Sequence, residues 1–437
     1  WIELMVVKWV LGIEALLKVA VRYPQTAYAG FTQSLQAEWQ YLCRCVPGVE
    51  KHLGPVEDAI HQLFIPALLE MNFDEISEEF RHLLSNGVKQ GGMNLRNPVK
   101  GAARLHKSSS KASEVLVKSL MEGAVLDSVL HKQCVRKAGA EARKERCEEE
   151  KAFVASLMER APKAVKKRLE RMGETGAWLT VTPNKMNGTI LSADEWRDNA
   201  RLRVGLRPHR LCERCDGCGA GLSAEHALSC KKGGLVCQRH DDTRDEAGSL
   251  AAMALTKSRV SYEPYIFYGT GVCATVQENG ELPAGLGDEA RGDVAVHGLW
   301  KKGETCILDI CVTDTDVKSY ASCASKKVLE RAVKKKKDKY LDACLERRRT
   351  FAPLAYSVDG MACKEAKAFE KRVASLLATK LGRQYSKMVG FVRARMSLAV
   401  VRSNTLLLRG ARGGRSMRPL LHDGDAFDAL DRGMNKS

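Results

Sequence analysis

Apolar residues recur at spacings of three and four along Trp9-Val10-Ile13-Leu16-Leu17-Ala20, and again along Ile60-Leu63-Phe64-Ala67-Leu68. That is the period of helices with one buried face, punctuated at Pro24 and Pro66, so residues 1–90 read as helical. A Gly91-Gly92 turn leads into Asn97-Pro98, a loop signal. From 111 to 172 the pattern stays helical but heavily charged, with mixed signs from Glu141 to Lys151, as on a solvated helix face. A loop follows at Thr182-Pro183-Asn184. Ser192 then stands three residues before Glu195, a capping-box spacing that starts a helix running through Leu202.

The pattern changes in the second half. Cysteines and glycines cluster at 212–237. Helix is expected at about 241–256, after Arg239-His240. Strand-like runs follow at Val260 to Tyr268, Asp293 to Val296 and Cys306 to Val312. A long basic helix fits 321–348, a strand fits Leu354 to Val358, and helices fit 362–380 and 387–403. Helix, three strands, helix, strand is an α/β order. The tail after 405 is rich in Arg and Gly and reads as loose. The expected class is therefore a multidomain α+β chain, with a helical N-terminal half and an α/β core in the C-terminal half.

Composition narrows the partner. The 437 residues fit two to four domains, at roughly 100–200 residues each. An apolar content of 44% excludes whole-chain disorder. A formal charge of +17 points to a polyanion, most often nucleic acid. No uncharged apolar run reaches the ~18 residues of a membrane span. The most apolar stretch, Leu4 to Val21, is interrupted by Lys8, Glu14 and Lys18. Fifteen cysteines, scattered and odd in number, fit a reducing compartment with a few metal ligands better than a disulfide scaffold. Outside the 212–237 cluster none forms a Cys-x-x-Cys on a strand–helix turn, which argues against a thiol enzyme. The apolar start has no secretory-signal pattern. The chain begins at Trp1 in mid-pattern and reads as a piece of a longer polypeptide.

Cys215-x2-Cys218-x7-His226-x3-Cys230 has metal-ligand spacing. Two thiolates on one tight turn, then an imidazole and a thiolate on the next segment, make a closed tetrahedral zinc site of the structural kind. Gly217, Gly219 and Gly221 let the backbone turn between ligands. Cys212 offers an alternative ligand, and His209 lies nearby.

A second constellation is acidic. Asp293 opens a short strand and Asp309 lies within Thr305-Cys306-Ile307-Leu308-Asp309-Ile310-Cys311-Val312, with fifteen residues between them. A turn at Lys301-Lys302-Gly303 joins the two into a hairpin. Acids on neighbouring strands can share one hard cation such as Mg²⁺, which activates water and offsets charge on a phosphate under attack. Asp309 is flanked by apolar residues, where a carboxylate is costly unless paired or metal-bound. In the spacing Asp…Asp-x-Lys a lysine would stand at 311, but Cys311 is there. The next supply of cations is the basic helix, with eleven Lys and Arg against four Asp and Glu from Lys326 to Arg349. Lys335, Lys336, Lys337, Lys339 and Tyr340 lie in it. Any one of these lysines serves either the carboxylates or a nucleic-acid phosphate. Arg239-His240-Asp241-Asp242 precedes Arg244-Asp245-Glu246 near the start of a helix, where acids commonly serve as caps. Glu246 and Glu263 are alternative metal ligands, and His240 is either a phosphate contact or a support for a ligand.

These pieces, in this order, resemble a known family. The cysteine knuckle, Arg239-His240, Glu263-Pro264, Arg291-Gly292-Asp293, Leu308-Asp309, Lys336 to Tyr340 and Phe351-Ala352-Pro353-Leu354 resemble the C-terminal part of non-LTR retrotransposon polyproteins that carry a restriction-enzyme-like endonuclease. The resemblance covers about 175–412. Gly176-Ala177-Trp178-Leu179 and Glu195-Trp196-Arg197 are similar to the linker ahead of the knuckle. Pro24-Gln25-Thr26-Ala27-Tyr28, Glu38-Trp39 and Gly91-Gly92 are similar to a reverse transcriptase thumb.

The resemblance implies a helical thumb-like region at 1–110, a charged helical linker at 111–205 and a CCHC zinc knuckle at 206–237. It implies an endonuclease of the PD-(D/E)XK class at 238–405 and an Arg/Gly-rich tail at 406–437. Such proteins nick chromosomal DNA and prime copying of their RNA from the freed end. The implied partners are thus target DNA, element RNA and the rest of the polyprotein, including the polymerase palm, with no membrane and a nuclear location. Asp293 and Asp309 match the metal-binding acids, and Lys336 or Lys339 matches the catalytic lysine that has moved to the helix. Cys215, Cys218, His226 and Cys230 match the zinc ligands, and the resemblance implies that the thumb and the zinc knuckle bind RNA and DNA. Arg239, His240, Lys335, Lys337, Tyr340, Arg409 and Arg412 are the expected nucleic-acid contacts. The chain departs from the family at Gly292, where proline is frequent, at the short last gap of the knuckle, and at Cys311. It also lacks the Tyr/Phe-x-Asp-Asp pair of a polymerase palm. The rival reading is a zinc-knuckle binding protein without catalysis.

Overall fold

The computed structural model describes residues 1–267 and 290–412. It is a mixed α+β protein, mostly helical, with one small four-stranded sheet. Residues 1–209 form one compact unit and 210–412 belong to a second.

The first unit is all helix among its described elements. Helix α1 (Ile2–Arg22) buries Trp9 and Ile13, and α2 (Gln36–Cys45) buries Trp39 and Leu42. The apolar spacing sets this core: Trp9 meets Trp39 edge-on at 6.0 Å, and Phe31 stacks on Phe64 at 4.8 Å. Asn97 caps α3 (Pro98–Glu122), its side chain accepting from the Lys100 N–H, and Gly123 ends it in the left-handed conformation. Helix α4 (Ser128–Arg160) packs against α3 as a hairpin, laced by Lys107–Glu145 and Lys111–Glu141 ion pairs. The capping box at Ser192 and Glu195 is present, with both reciprocal hydrogen bonds. Segments far apart in sequence meet here: Tyr28 packs on Trp196 at 5.5 Å, and the Gln25 side chain bonds the backbone of Thr189 and Leu191.

The second unit opens with the cysteine loop and continues into α5 (Leu235–Ala254). This helix starts six residues earlier than the sequence pattern suggested, because Gly233 and Gly234 supply the positive φ that resets the chain. Arg239 to Asp242 therefore lie within the helix and do not cap it. The expected strand from 260 to 268 is split into β1 (Val260–Tyr262) and β2 (Tyr265–Phe267), with Glu263 at φ 50° between them. β3 (Ala290–Arg291) pairs with β2, and β4 (Val294–His297), β5 (Thr305–Thr313) and β6 (Arg349–Ser357) complete the main sheet in the order β1-β4-β5-β6. β4 and β5 run antiparallel, while β5 and β6 run parallel across the basic helix α6 (Ser325–Glu346). Side-chain alternation sends Leu308 and Ile310 into the main core, with Leu250 of α5, Phe369 of α7 (Lys364–Leu381) and Val392 of α8 (Tyr385–Arg409). Ile307 points to the opposite face, with Tyr340 and Cys344 of α6. Helix α8 runs to Arg409 with Leu407 and Leu408 buried, past the point where a loose tail was expected. Arg415 and Arg418 of that tail lie outside the described residues.

Candidate functional site: an acid pair and a cysteine cluster

The β4–β5 register pairs Val294 with Leu308 and Ala295 with Ile307. Continued by one residue, it sets Asp293 opposite Asp309, and the Asp293 N–H donates to the Leu308 carbonyl at 3.1 Å. The two carboxylates interact. Burial, then the neighbouring Asp293 charge, push Asp309 up to about 6 against the pull of Lys336. Lys336, from α6, lies 3.0 Å from one Asp309 oxygen and 2.9 Å from the other. Burial works against the Lys336 charge, and the Asp309 carboxylate overrides it, leaving the pKa above its ordinary value.

His240 completes the group from α5. Its Nε2 lies 3.1 Å from Asp293 Oδ2, and its Nδ1 lies 3.3 Å from Asp241 Oδ1. Carboxylate oxygens only accept, so a ring facing two of them is favoured in its protonated form. The Asp293 hydrogen bond accordingly raises the His240 pKa against its burial. Burial opposes ionisation of Asp293, but the His240 partnership and the Ile310 N–H outweigh it and lower the pKa. Cys311, on the same face of β5 as Asp309, carries a thiol pushed up to about 12 by burial. It stays protonated and supplies neither a cation nor a nucleophile.

Other sequence candidates fall elsewhere. Lys339 sits over the Tyr340 ring at 4.7 Å, and Tyr340 is itself buried edge-on to Phe351, so it offers no face for a base to stack on. Lys337 is held by Glu365 of α7. Lys335 and Arg409 are exposed. Glu246 pairs with Arg395 at 2.7 Å, and Glu263 pairs with Arg244 and Arg291, so neither joins the two aspartates. Arg239 and Arg412, expected at a nucleic-acid surface, are 3% and 5% exposed. Both donate inward to the cysteine loop: Arg239 to the Leu228 carbonyl at 3.0 Å, and Arg412 to the Ala227 carbonyl at 3.0 Å. The Arg412 backbone N–H also donates to Asp216 at 2.6 Å. Sequence gave no sign of this, because a backbone carbonyl of a distant loop leaves no mark on composition.

Cys215, Cys218, His226 and Cys230 bring their ligand atoms within 4.8 Å of one another, the one such group of three or more among the described residues. Sγ of Cys230 lies 3.8 Å from that of Cys215 and 4.0 Å from that of Cys218, and Cys218 Sγ lies 3.2 Å from His226 Nε2. Thiolates about 2.3 Å from a tetrahedral zinc stand about 3.8 Å apart, so the cluster fits a metal such as zinc. Cys212 is exposed and outside it. Gly219, at φ 75°, makes the turn after Cys218. At Gly217 a Cβ would come within 2.8 Å of Arg412 Cβ, so only glycine lets the loop close on that arginine. Every cysteine among the described residues is a free thiol. The chain matches no protein-family model and no curated protein.

Proposed function

We propose that the second unit is a metal-dependent endonuclease, of the PD-(D/E)XK class, that hydrolyses phosphodiesters in DNA. The observation that carries this reading is Asp293 facing Asp309 across two antiparallel strands, with Lys336 delivered from the crossover helix. Asp293 and Asp309 would hold Mg²⁺, which when bound supplies an activated water and charge stabilisation at phosphorus. Lys336 orients the attacked phosphate or offsets its developing charge. His240 holds the Asp293 carboxylate in place from α5. The motif order resembling a restriction-enzyme-like retrotransposon endonuclease supports the same reading. It extends the proposal to nicking of target DNA that primes reverse transcription in the nucleus, with element RNA and the polymerase palm as partners. The zinc site then serves as a brace for the nuclease, since Arg239 and Arg412 tie it to α5 and to the end of α8.

One observation favours a binding protein without catalysis: the Lys336 ammonium already lies against the Asp309 carboxylate, hydrogen-bonded to Oδ1, where a cation would sit. Plasmid nicking in Mg²⁺, read beside a gel shift, separates the two. The nuclease reading expects nicking by the parent chain and DNA binding without nicking by Asp309→Ala. Binding without nicking by both chains favours the binding protein.

A further inference from the structure

The first unit contains a cationic cleft that shares no residue with the acid pair. It has a volume of about 820 Å³ and opens among α2, the loop at Asn97 and the α3–α4 hairpin. Its cations converge from four segments: Arg44 from the end of α2, Arg96 from the loop, Lys100 and Arg104 from the first two turns of α3, and Arg143 and Arg146 from α4. Two acids share the lining, and each is engaged: Glu149 by Arg104, and Glu150 by Arg146 at 3.5 Å. That leaves Arg44, Arg96, Lys100 and Arg143 around one cavity with no ion pair among the described residues. Asn97 and Pro98 also line the cavity, so the N-terminus of α3 adds the partial positive charge of a 25-residue helix. Farther along the hairpin, charges are balanced between the two helices by Lys107–Glu145 and Lys111–Glu141.

The lining offers charge and donors, and no open face for a base. Burial, then Arg146 with Arg104 and Arg44 against the pull of Glu150, push Arg96 down to about 10. Asn86 lines the cleft at 1% exposure, and its Nδ2 donates to no acceptor among the described residues. Like charges gathered at a cavity, and a buried donor without an acceptor, cost folding energy that a bound anion recovers. The two aromatic rings of the lining are already packed against other rings. Trp39, 2% exposed, meets Trp9 edge-on, and His82 stacks on Phe153 at 3.7 Å. Single strands are held by bases stacked on aromatic faces as well as by charge, and this cleft supplies the charge alone.

We propose that this cleft binds a compact polyphosphate without a base, a small molecule whose phosphates crowd one ring or one short chain. The volume is that of a small-ligand pocket, about 300–1,000 Å³. Convergence of cations from several segments suits a ligand that presents phosphates in several directions. Arginine suits the role, because its planar fork meets two phosphate oxygens at once. The cleft and its charge stand whether or not Asp293 and Asp309 cut DNA.

The test is isothermal titration calorimetry on the full zinc-loaded chain at about 0.15 M salt, where scattered surface charges are screened. The probes are inositol hexakisphosphate, tripolyphosphate and an oligothymidylate of about 12 nucleotides. Arg44→Glu/Arg143→Glu reverses two exposed charges of the cleft, and Arg44→Gln/Arg143→Gln only removes them. Lys18→Glu/Lys185→Glu makes the same reversal at exposed positions of the same unit outside the cleft. Circular dichroism establishes that all three variants fold. The parent is expected to bind one polyphosphate per chain, and the tighter of the two probes tells a ring-borne ligand from a linear one. Reversal is expected to weaken that binding about tenfold or more, removal of the charges by less, and the control by no more than about twofold. Chelation of zinc by the probe would give the same heat in every variant, so it does not mimic this pattern. Absence of binding by either polyphosphate, or equal affinities in the cleft and control variants, would overturn the proposal. So would an oligothymidylate that binds more tightly than both at equal phosphate concentration and weakens in the cleft variants, which would assign the cleft to a strand.

Discussion

Lys336 Nζ lies 3.0 and 2.9 Å from the two oxygens of Asp309, joining the crossover helix to the central strand of the sheet. A lysine at position 311 would have reached the same carboxylate from within the strand. The ion pair has one buried partner, Asp309, and one whose side chain is 31% exposed, so its loss costs less than that of a fully buried pair. Lys336→Met is expected to lower stability by about 2 kcal/mol and nicking by at least ~100-fold. Lys339→Met leaves both nearly unchanged, because Lys339 rests on the Tyr340 ring. Thermal unfolding and nicking rates on the two variants check this, and equal effects would refute the assignment of Lys336.

Gly292 precedes the first acid, and its lack of a side chain is a packing requirement. A Cβ there would come within 2.4 Å of Ile307 Cγ2, on the neighbouring strand. Ile307 is fully buried and β-branched, so it has little freedom to yield. Gly292→Ala is expected to cost about 1–3 kcal/mol and to shift Asp293, lowering nicking more than DNA binding. Denaturant unfolding beside nicking and gel-shift titrations measures it, and a variant as stable and as active as the parent would contradict the packing.

The proposed zinc brace is testable by metal content. Cys218→Ser is expected to leave the protein nearly zinc-free, while Cys212→Ser keeps the parent's zinc, since Cys212 lies outside the cluster. Arg239 ties Leu228 of the loop to α5 one residue before His240. Chelation is therefore expected to lower the melting temperature and the nicking rate together. Colorimetric zinc release, followed in parallel with nicking, decides it. Full nicking after complete zinc loss would show that the loop is independent of the acid pair.

Stability should carry one specific pH signature. Glu370 is 5% exposed, accepts from the Tyr356 hydroxyl at 3.2 Å and faces Arg393 at 3.6 Å. Burial raises its pKa from 4.5 to about 6, against the pull of Arg393. The folded chain thus keeps a proton that the unfolded chain releases. The stabilising contribution is full below about pH 4.5 and is lost as pH rises through about 6. Relative to the parent, Glu370→Gln is expected to gain about 2 kcal/mol between pH 4.5 and pH 7. Denaturant unfolding of both at the two pH values measures the change, and parallel curves would contradict it.

The periodic parts of the chain were legible and the long-range ones were not. Helical spacing anticipated the buried faces at Trp9, Ile13 and Ala20 and at Ile60, Phe64 and Leu68, and ligand spacing anticipated the four atoms that converge at Cys215, Cys218, His226 and Cys230. The placing of Asp309 on a strand, and of Asp293 at the head of the strand joined to it, followed from the apolar runs beside them and the turn at 301–303. Which lysine meets Asp309 did not, because the choice between Lys336 and Lys339 depends on how a 22-residue helix is rotated over the sheet. Arg239 and Arg412 read as surface cations because charge in a sequence carries no direction. In the fold both turn inward to satisfy loop carbonyls. Arg44, Arg96 and Arg143 lie far apart along the chain, and only the docking of α2 against the hairpin gathers them.

The central claim is that Asp293 and Asp309 act as one metal-binding pair in phosphodiester hydrolysis. The most direct measurement is the single-turnover nicking rate of supercoiled DNA by the zinc-loaded parent, Asp293→Asn and Asp309→Asn, each with Mg²⁺ and with EDTA. Metal-dependent nicking by the parent, and a fall of about 1,000-fold or more in each variant with DNA binding retained, is the predicted result. Nicking by either variant at the parent's rate, or parental nicking that persists in EDTA, would contradict it.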